Sequence, residues 1–231
     1  MAVMAGILPF CIPQACNRMI PLLVPAIVLA AGQSSRMGRP KPNLPVGGGT
    51  FLTRIVQTML DAAVDDVVIV VGHEKEAVVE AFQKSGLPAR FVENPDYASG
   101  QLSSLLAGLR VVDRPGVAAT LVTLVDVPFV SAATVRAVVD TYQRTHARIV
   151  RPTRGEQHGH PLLVDRSLFE LLRHADPAGG AKPIVRQHAT PDGDVQIDDE
   201  GAFADIDTVE EYERALSFFD GARARSDQGS S

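Results

Sequence analysis

Short apolar runs alternate along the chain with stretches in which apolar residues recur at helical spacing. The runs that predict buried strands are Val24–Ala31, Asp66–Val71, Ala89–Val92, Val117–Val125, Arg148–Val150, Leu162–Val164 and Ala204–Asp207. The stretches that predict helices are Phe51–Leu60, Glu74–Lys84, Ser99–Val111, Ser131–Arg144, Ser167–His174 and Thr208–Phe219. This alternation predicts a Rossmann-like α/β fold, with three α/β/α layers around a mostly parallel sheet in a single domain.

Polar residues mark several of the predicted element boundaries. Thr50 and Ser131 are predicted helix N-caps, and Thr208-x-x-Glu211 is a capping box that opens the last helix. Thr153–His160 is expected to be a polar loop, and Pro177–Lys182 a glycine-rich turn. In a sheet of this kind, ligands bind at the carboxyl ends of the strands.

Composition restricts the class of protein. A chain of 231 residues with 45% hydrophobic and 21% charged residues fits one globular α/β domain. The formal net charge of −5 and the scattered basic residues argue against a nucleic-acid surface. Prolines interrupt the apolar runs, so no membrane helix is expected. We predict a cytoplasmic protein without structural disulfides, since Cys11 and Cys16 both lie near the N-terminus.

The two ends of the chain differ from the rest. Residues 1–23 are apolar but lack a basic start and contain Pro9 and Pro13. We interpret them as a disordered extension or as a start codon set too early, with Met19 as the true start; a weak signal peptide is the third alternative. Residues 24–220 are predicted to form the functional domain, and residues 221–231 a disordered tail.

The segment that follows the first predicted strand is rich in groups that bind anions. The loop Gly32–Gly38 combines two glycines with Ser34, Ser35 and Arg36, and Lys41 follows. Small residues let backbone N–H groups approach a phosphate, and the cations neutralise its charge. The spacing matches neither a P-loop nor a dinucleotide fingerprint, and an ordinary surface loop is the alternative.

The full pattern L-A-A-G-x-S-x-R-M-G-x-x-K, from Leu29 to Lys41, resembles the signature loop of the molybdenum-cofactor cytidylyltransferase and guanylyltransferase superfamily, the MobA-like NTP transferases. LAAG in place of LAGG resembles the cytidylyltransferase (MocA-like) branch. The resemblance implies that Arg36 and Lys41 act on the leaving pyrophosphate. It also implies that the nucleotide is bound by Leu29, Ala30, Ala31, Gly32, Ser34, Ser35, Arg36, Gly38 and Lys41.

Two aspartates match the metal ligands of this family. Asp126, which precedes Val127-Pro128, resembles the catalytic aspartate that binds Mg²⁺. Asp207, in the segment Asp205-Ile206-Asp207-Thr208, resembles the second carboxylate. The alternatives are a loop aspartate for the first and an acidic helix N-terminus for the second.

A further segment resembles the part of the family that contacts the nucleoside. Asn94–Leu109 is similar to N-x(n)-G-M-x-S-S-L-x-x-G-L, with Gln101 where methionine is common. The resemblance implies nucleotide contacts from Asn94, Gly100, Ser103 and Ser104. The alternative is a capped helix whose serines face water.

The acceptor side is indicated by two weaker matches. Gly155–Pro161 resembles the family loop G-x-x-G-H-P, and Lys182 stands where the loop G-D-x-G-A-R has arginine. The implied acceptor-binding residues are His158, Gly159, His160, Pro161 and Lys182. The two histidines lack further ligands at the usual spacing, which argues against zinc.

Together these matches imply Mg²⁺-dependent transfer of CMP from CTP to the phosphate of molybdopterin. CTP is favoured over GTP because the methyl group of Ala31 narrows the base pocket. A molybdenum hydroxylase is a candidate partner, and a monomer or weak dimer is expected. The alternatives are a sugar-phosphate nucleotidyltransferase, a non-catalytic molybdenum-cofactor carrier and, more remotely, a reductase built on this fold.

Overall fold

The computed structural model describes residues 23–33, 39–64 and 66–217. The strands are β1 (Ala26–Leu29), β2 (Pro45–Val46), β3 (Gly49–Thr50), β4 (Val67–Val71), β5 (Arg90–Glu93), β6 (Ala119–Leu124), β7 (Ile149–Arg154), β8 (Gln157–His158), β9 (Leu162–Asp165) and β10 (Asp194–Gln196). The helices are α1 (Phe51–Asp61), α2 (Lys75–Gln83), α3 (Gln101–Val112), α4 (Ala132–Thr145), α5 (Phe169–Arg173), α6 (Lys182–His188) and α7 (209–217).

One sheet organises the chain, with the strand order β10-β7-β9-β6-β1-β4-β5 and β8 paired to β7. Strands β6, β1, β4 and β5 run parallel to one another, and β7 runs parallel to β10. Strand β9 lies between β6 and β7 and is antiparallel to both. The chain reaches β9 from β7 through the short hairpin strand β8, and a connection this short reverses strand direction.

The core lies in two layers, one on each face of the sheet. Alternate residues of β1 face opposite ways, so Ala26 and Val28 join one apolar cluster while Ile27 and Leu29 join the other. The first cluster is covered by α1, α2, α4 and α7, and the second by α3 and α5. This confirms the predicted three-layer α/β/α arrangement.

The predicted helix caps are confirmed. The Thr50 side chain accepts a hydrogen bond from Thr53 N at 3.3 Å, and Ser131 accepts one from Thr134 N at 3.2 Å. At the start of α7, Glu211 N donates to Thr208 Oγ1 at 3.2 Å. These side chains satisfy amides that have no partner within their own helix.

Two local predictions are wrong. Thr153–His160 is not a plain loop, because β7 extends to Arg154 and turns at Gly155 into β8; the φ of 60° at Gly155 favours glycine. Residues 204–207 form no strand. They lie beyond the carboxyl end of β6, where Ile206 N donates to Asp126 O at 2.9 Å. Ile206 is buried, whereas Asp205 and Asp207 are exposed.

The hairpin β2–β3 and the helix α6 were not predicted. Among the residues described, no helix is both long enough and apolar enough to cross a membrane. The predictions for residues 1–22 and 218–231 lie outside the described residues.

Candidate active site

Two adjacent cavities open at the carboxyl ends of β1 and β6, beside the start of α3. The first has a volume of about 510 Å³ and is lined by Leu29, Ala31, Gly32, Lys41, Tyr97, Gly100, Gln101, Ser104, Leu124, Val125, Asp126 and Asp207. The parallel strands place these residues together because their carboxyl ends meet at one edge of the sheet.

A lysine and two aspartates converge in the first cavity from three separate segments. Lys41 opens a short 3-10 helix (Lys41–Asn43), and its side chain is only 12% exposed. Its Nζ donates to Asp207 Oδ1 at 2.5 Å and lies 4.0 Å from Asp126 Oδ2. The ammonium group therefore lies against both carboxylates.

Asp126 follows the end of β6, and its environment disfavours the ionised form. Burial raises the pKa of Asp126 to about 6, the Lys41 ammonium opposes that rise, and the carboxylates of Asp205 and Asp207 add to it. Its Oδ1 is buried and has no hydrogen-bond partner among the described residues. A buried carboxylate oxygen of this kind is open to a cation or to a hydrogen-bond donor.

The donor set fits a hard divalent cation, because such ions prefer carboxylate oxygens. Within the described ranges, no three His, Cys, Asp or Glu side chains are arranged around a common metal position. Asp126 and Asp207 would therefore supply two ligands, and substrate oxygens and water would complete the coordination.

The start of α7 fixes the position of Asp207. The backbone N–H groups of Asp207 and Thr208 donate to Glu211 Oε2 at 2.8 and 2.9 Å. Both bonds lower the pKa of Glu211, and the bond from Asp207 N has the larger effect. Together with the bond from Ile206 N to Asp126 O, they tie the two aspartate segments together.

The Asn94 side chain is hydrogen-bonded to the first turn of α3. It is 4% exposed, and its Nδ2 donates to Ser103 Oγ at 2.8 Å and to Ser104 Oγ at 3.0 Å. Its Oδ1 accepts a hydrogen bond from Asp96 N at 3.0 Å. Of the two serines, Ser104 lines the first cavity. Asn94 therefore acts on the cavity through Ser104 and the loop before α3.

We expect Asn94→Ala to lower the free energy of unfolding by about 2 kcal/mol, because the three hydrogen bonds of a buried side chain are lost. We also expect it to weaken nucleotide binding, because Ser104 loses the hydrogen bond that holds its hydroxyl group in place. Urea unfolding and nucleotide titration measure the two effects. A variant with wild-type stability and affinity would contradict this role.

Tyr97 also lines the first cavity. The sequence had not indicated this residue as part of the site. A Cβ atom at Gly72 would lie 2.8 Å from the Tyr97 ring, so glycine at this position allows the close approach. The ring also lies beside His73, with the centroids 5.9 Å apart. His73 N in turn donates to Ala31 O at 3.2 Å, which links this wall to the loop after β1.

The second cavity has a volume of about 580 Å³ and shares Leu29, Gly100, Gln101 and Leu124 with the first. Its other walls come from β6, β7, β9, α3, α5, α6 and the turn before α6. The basic residues among them are Arg151, His158, His160, Lys182 and Arg186. The shared residues make the two cavities neighbouring halves of one cleft.

His160 is held in a fixed orientation at the edge of the second cavity. Its backbone N donates to Ala202 O at 2.8 Å, and its Nδ1 lies 3.4 Å from Val122 O. Because a carbonyl oxygen only accepts hydrogen bonds, this pairing assigns the proton to Nδ1. Burial lowers the pKa of His160, which keeps the imidazole neutral at pH 7.

The structure brings most of the predicted site residues into this cleft. Those that line the first cavity are Leu29, Ala31, Gly32, Lys41, Gly100, Ser104, Asp126 and Asp207, and those that line the second are His158, Gly159, His160 and Lys182. Within the described part of the chain, Ala30, Asn94, Ser103 and Pro161 line neither cavity. Ser34, Ser35, Arg36 and Gly38 lie outside the described residues.

Sequence reasoning missed Tyr97, Arg151 and Arg186. A signal for Arg186 was available, since Lys182 and Arg186 have the spacing of neighbours on one helix face. It went unused because the helix that carries both residues was not predicted.

The sheet and the charged cleft at its carboxyl edge define an α/β enzyme of the kind that handles phosphorylated substrates. Residues 26–191 match the family model described as the MobA-like NTP transferase domain. The chain therefore belongs to this family and is a nucleotidyltransferase, which confirms the family identified from the signature loop.

The chain is similar to proteins that bear different names. Nicotine blue oxidoreductase of Paenarthrobacter nicotinovorans is 32% identical over 201 residues, which are 84% of this chain and 96% of that protein. A probable molybdenum cofactor guanylyltransferase of Mycolicibacterium paratuberculosis is 30% identical over 160 residues, which are 68% of this chain and 77% of that protein.

A solved structure has the same fold. Rv0371c from Mycobacterium tuberculosis H37Rv superposes with a TM-score of 0.71 at 27% identity, covering 84% of this chain and 98% of that one. The same protein has also been solved in complex with manganese, with a TM-score of 0.68, 26% identity and the same coverage.

Proposed function

We propose that this protein transfers CMP from CTP to the phosphate of a molybdopterin-type acceptor and releases pyrophosphate. The observation that supports this most strongly is the position of Lys41 between Asp126 and Asp207, in a cavity that adjoins a second, basic one. The first cavity binds the nucleotide and the second binds the acceptor.

In the reaction, an oxygen of the acceptor phosphate attacks the α-phosphorus of CTP. A new P–O bond forms, the bond from the α-phosphorus to the oxygen that bridges to the β-phosphorus breaks, and pyrophosphate leaves with that electron pair. The attacking phosphate is already anionic at neutral pH, so no general base is needed. The protein contributes positioning and charge neutralisation.

Lys41 supplies a fixed positive charge that offsets the negative charge on the leaving pyrophosphate. Asp126 and Asp207 would hold a divalent cation, for which we propose Mg²⁺, and this ion would add further charge neutralisation at the triphosphate. The buried Oδ1 of Asp126, which has no hydrogen-bond partner among the described residues, supports this assignment.

The decisive experiment incubates the full chain with each nucleoside triphosphate, Mg²⁺ and molybdopterin, and measures pyrophosphate release. We expect release with CTP. No release with any nucleotide would favour the non-catalytic carrier, and release only with a sugar phosphate as acceptor would favour the sugar-phosphate nucleotidyltransferase.

A reductase is a second candidate, because a relative that is 32% identical over nearly its whole length bears an oxidoreductase name. The apolar side chains of the second cavity are also compatible with an aromatic substrate. Oxidation of NADH or NADPH with a heteroaromatic dye tests this candidate. We expect none, and dye-dependent oxidation without pyrophosphate release would replace our proposal.

Nucleotide choice gives a separate prediction. Ala31 is 3% exposed and lines the first cavity, so its methyl group limits the space beside a bound base. We expect kcat/KM for CTP to exceed that for GTP by about tenfold or more, and Ala31→Gly to reduce this ratio. Equal turnover of both nucleotides by the wild type would contradict the assignment.

A further inference from the structure

The Lys41 ammonium group lies between the two aspartates that would hold a divalent cation. Its Nζ donates to Asp207 Oδ1 at 2.5 Å and lies 4.0 Å from Asp126 Oδ2. The lysine side chain is largely shielded from water. A divalent cation shared by these carboxylates would therefore meet a like charge at short range.

The segments that carry the two aspartates are tied in place. Ile206 N donates to Asp126 O at 2.9 Å, and Asp207 N donates to Glu211 Oε2 at 2.8 Å. These bonds fix the backbone at both aspartates, so the carboxylates can move only by rotation of short side chains. A large change in the distance between the carboxylates and the ammonium group has to come from Lys41.

The backbone at Lys41 is also anchored, whereas its side chain is long and flexible. Leu44 N donates to Lys41 O at 3.0 Å, and Phe51 N donates to Leu44 O at 2.9 Å. Leu44 and Phe51 are both buried. The lysine carries its ammonium group on a flexible four-carbon chain. Rotation about the bonds of this chain moves the ammonium group without any movement of the loop.

The ammonium group of Lys41 has two competing partners during the proposed reaction. In the structure it is bonded to Asp207, whereas in the reaction it offsets the charge on the leaving pyrophosphate. A triphosphate offers several anionic oxygens, so it competes with the Asp207 carboxylate for the ammonium group. An ammonium group that has turned toward the triphosphate no longer opposes a divalent cation at the two carboxylates.

We infer that Lys41 is a gate for the divalent cation: its ammonium group opposes the cation at Asp126 and Asp207 until a nucleoside triphosphate draws the ammonium group away. The cation then binds together with the nucleotide and not before it. This inference rests on the proposed function for the metal site at the two aspartates. It adds an order of binding to that function, and it gives Lys41 an inhibitory contact besides its contribution to the reaction.

The first test measures Mn²⁺ binding to the full chain by electron paramagnetic resonance, at pH 7 and without nucleotide. We expect the uncharged variants Lys41→Met and Lys41→Gln to bind Mn²⁺ about tenfold or more tightly than the wild type, because a like charge beside the ion is removed. Lys41→Arg retains the charge and is expected to bind as weakly as the wild type. Equal Mn²⁺ affinity in the wild type and the uncharged variants would overturn the inference.

Two controls show whether the gain arises at this site. Lys75→Met makes the same replacement at a lysine that pairs with Glu93 at 2.7 Å and lines neither cavity, and we expect its Mn²⁺ affinity to equal that of the wild type. Asp207→Asn combined with Lys41→Met is expected to abolish the gain, because a proposed ligand is removed. A gain that persists in this double variant would overturn the inference.

The second test measures CTP binding by calorimetry with a chelator present. We expect Lys41→Met to weaken CTP binding about tenfold or more, because the contact between the ammonium group and the phosphates is lost. Tighter Mn²⁺ binding together with weaker CTP binding distinguishes the gate from general damage to the site, and unchanged CTP affinity would overturn the inference. Neither test uses the acceptor, so the result for the gate is independent of whether the protein releases pyrophosphate.

Discussion

Replacing Lys41 with alanine is expected to lower the rate of pyrophosphate release about 100-fold or more, the scale on which a preorganised catalytic charge contributes. Lys41 is nearly buried, and its Nζ lies against Asp207 and close to Asp126. Its removal takes away the positive charge that, in the proposed reaction, offsets the charge on the leaving pyrophosphate. Steady-state pyrophosphate release measures the effect.

Lys75→Ala is the matched control for the Lys41 variant. Lys75 also pairs with a carboxylate, at 2.7 Å from Glu93, but it lies on α2 outside the cleft. We expect its activity to equal that of the wild type. A Lys41→Ala protein that keeps wild-type rates would exclude Lys41 from the reaction.

Asp126→Asn is expected to lower activity about 100-fold or more while stabilising the metal-free protein. The activity is lost because an amide is a poor ligand for a divalent cation compared with a carboxylate. The stability is gained because the native environment disfavours a charged side chain here, through burial and two nearby carboxylates.

The sign of the stability effect follows from the pKa of Asp126, which is raised from 3.8 to about 6 in the native state. Between these values Asp126 is more protonated in the native protein than in the unfolded chain. The contribution of Asp126 to the free energy of unfolding therefore falls as the pH rises from about 4 to about 6. The fall is up to about 3 kcal/mol, since each pKa unit corresponds to about 1.4 kcal/mol.

The measurement is urea unfolding of the wild type and Asp126→Asn across this pH range with a chelator present. We expect the stability advantage of the variant to grow with pH and to level off above about pH 6. Asp140→Asn, which makes the same replacement at an exposed position of α4, is the matched control. A pH-independent difference between wild type and Asp126→Asn would contradict the raised pKa.

The pattern of apolar positions was sufficient to predict the layers of the fold. Strands such as β1 and β4 are buried on both faces and appear as continuous apolar runs, and α1 shows its buried face at helical spacing. The pattern did not reveal the direction of β9. An apolar run looks the same in a parallel and an antiparallel strand, and direction depends on the connection through β8.

Two further errors in the predicted secondary structure also have local causes. The alternation in Ala204–Asp207 suggested a strand, but it arises because Ile206 is buried between two exposed aspartates that follow the sheet edge. Helix α6 was missed because Ala181 provides no side-chain cap hydrogen bond and the helix has only 7 residues. Because that helix was not predicted, the spacing of Lys182 and Arg186 was not interpreted as one face of a helix.

The site residues that belong to a sequence motif were predictable. Lys41, Asp126 and Asp207 each belong to a pattern of several residues, and the structure brings all three together. Tyr97 and Arg151 belong to no such pattern. Their positions depend on packing against Gly72 and on pairing with Asp194, contacts that join residues distant in the sequence.

The two cavities share part of their walls, but their charged side chains come from different parts of the chain. Apart from Asp207, the first is lined by residues up to Asp126, whereas the basic side chains of the second come from 151–186. Substitutions in this later part can therefore change the charges of the second cavity while those of the first stay intact. Such a division lets the charged lining of the second cavity diverge in evolution while that of the first is retained.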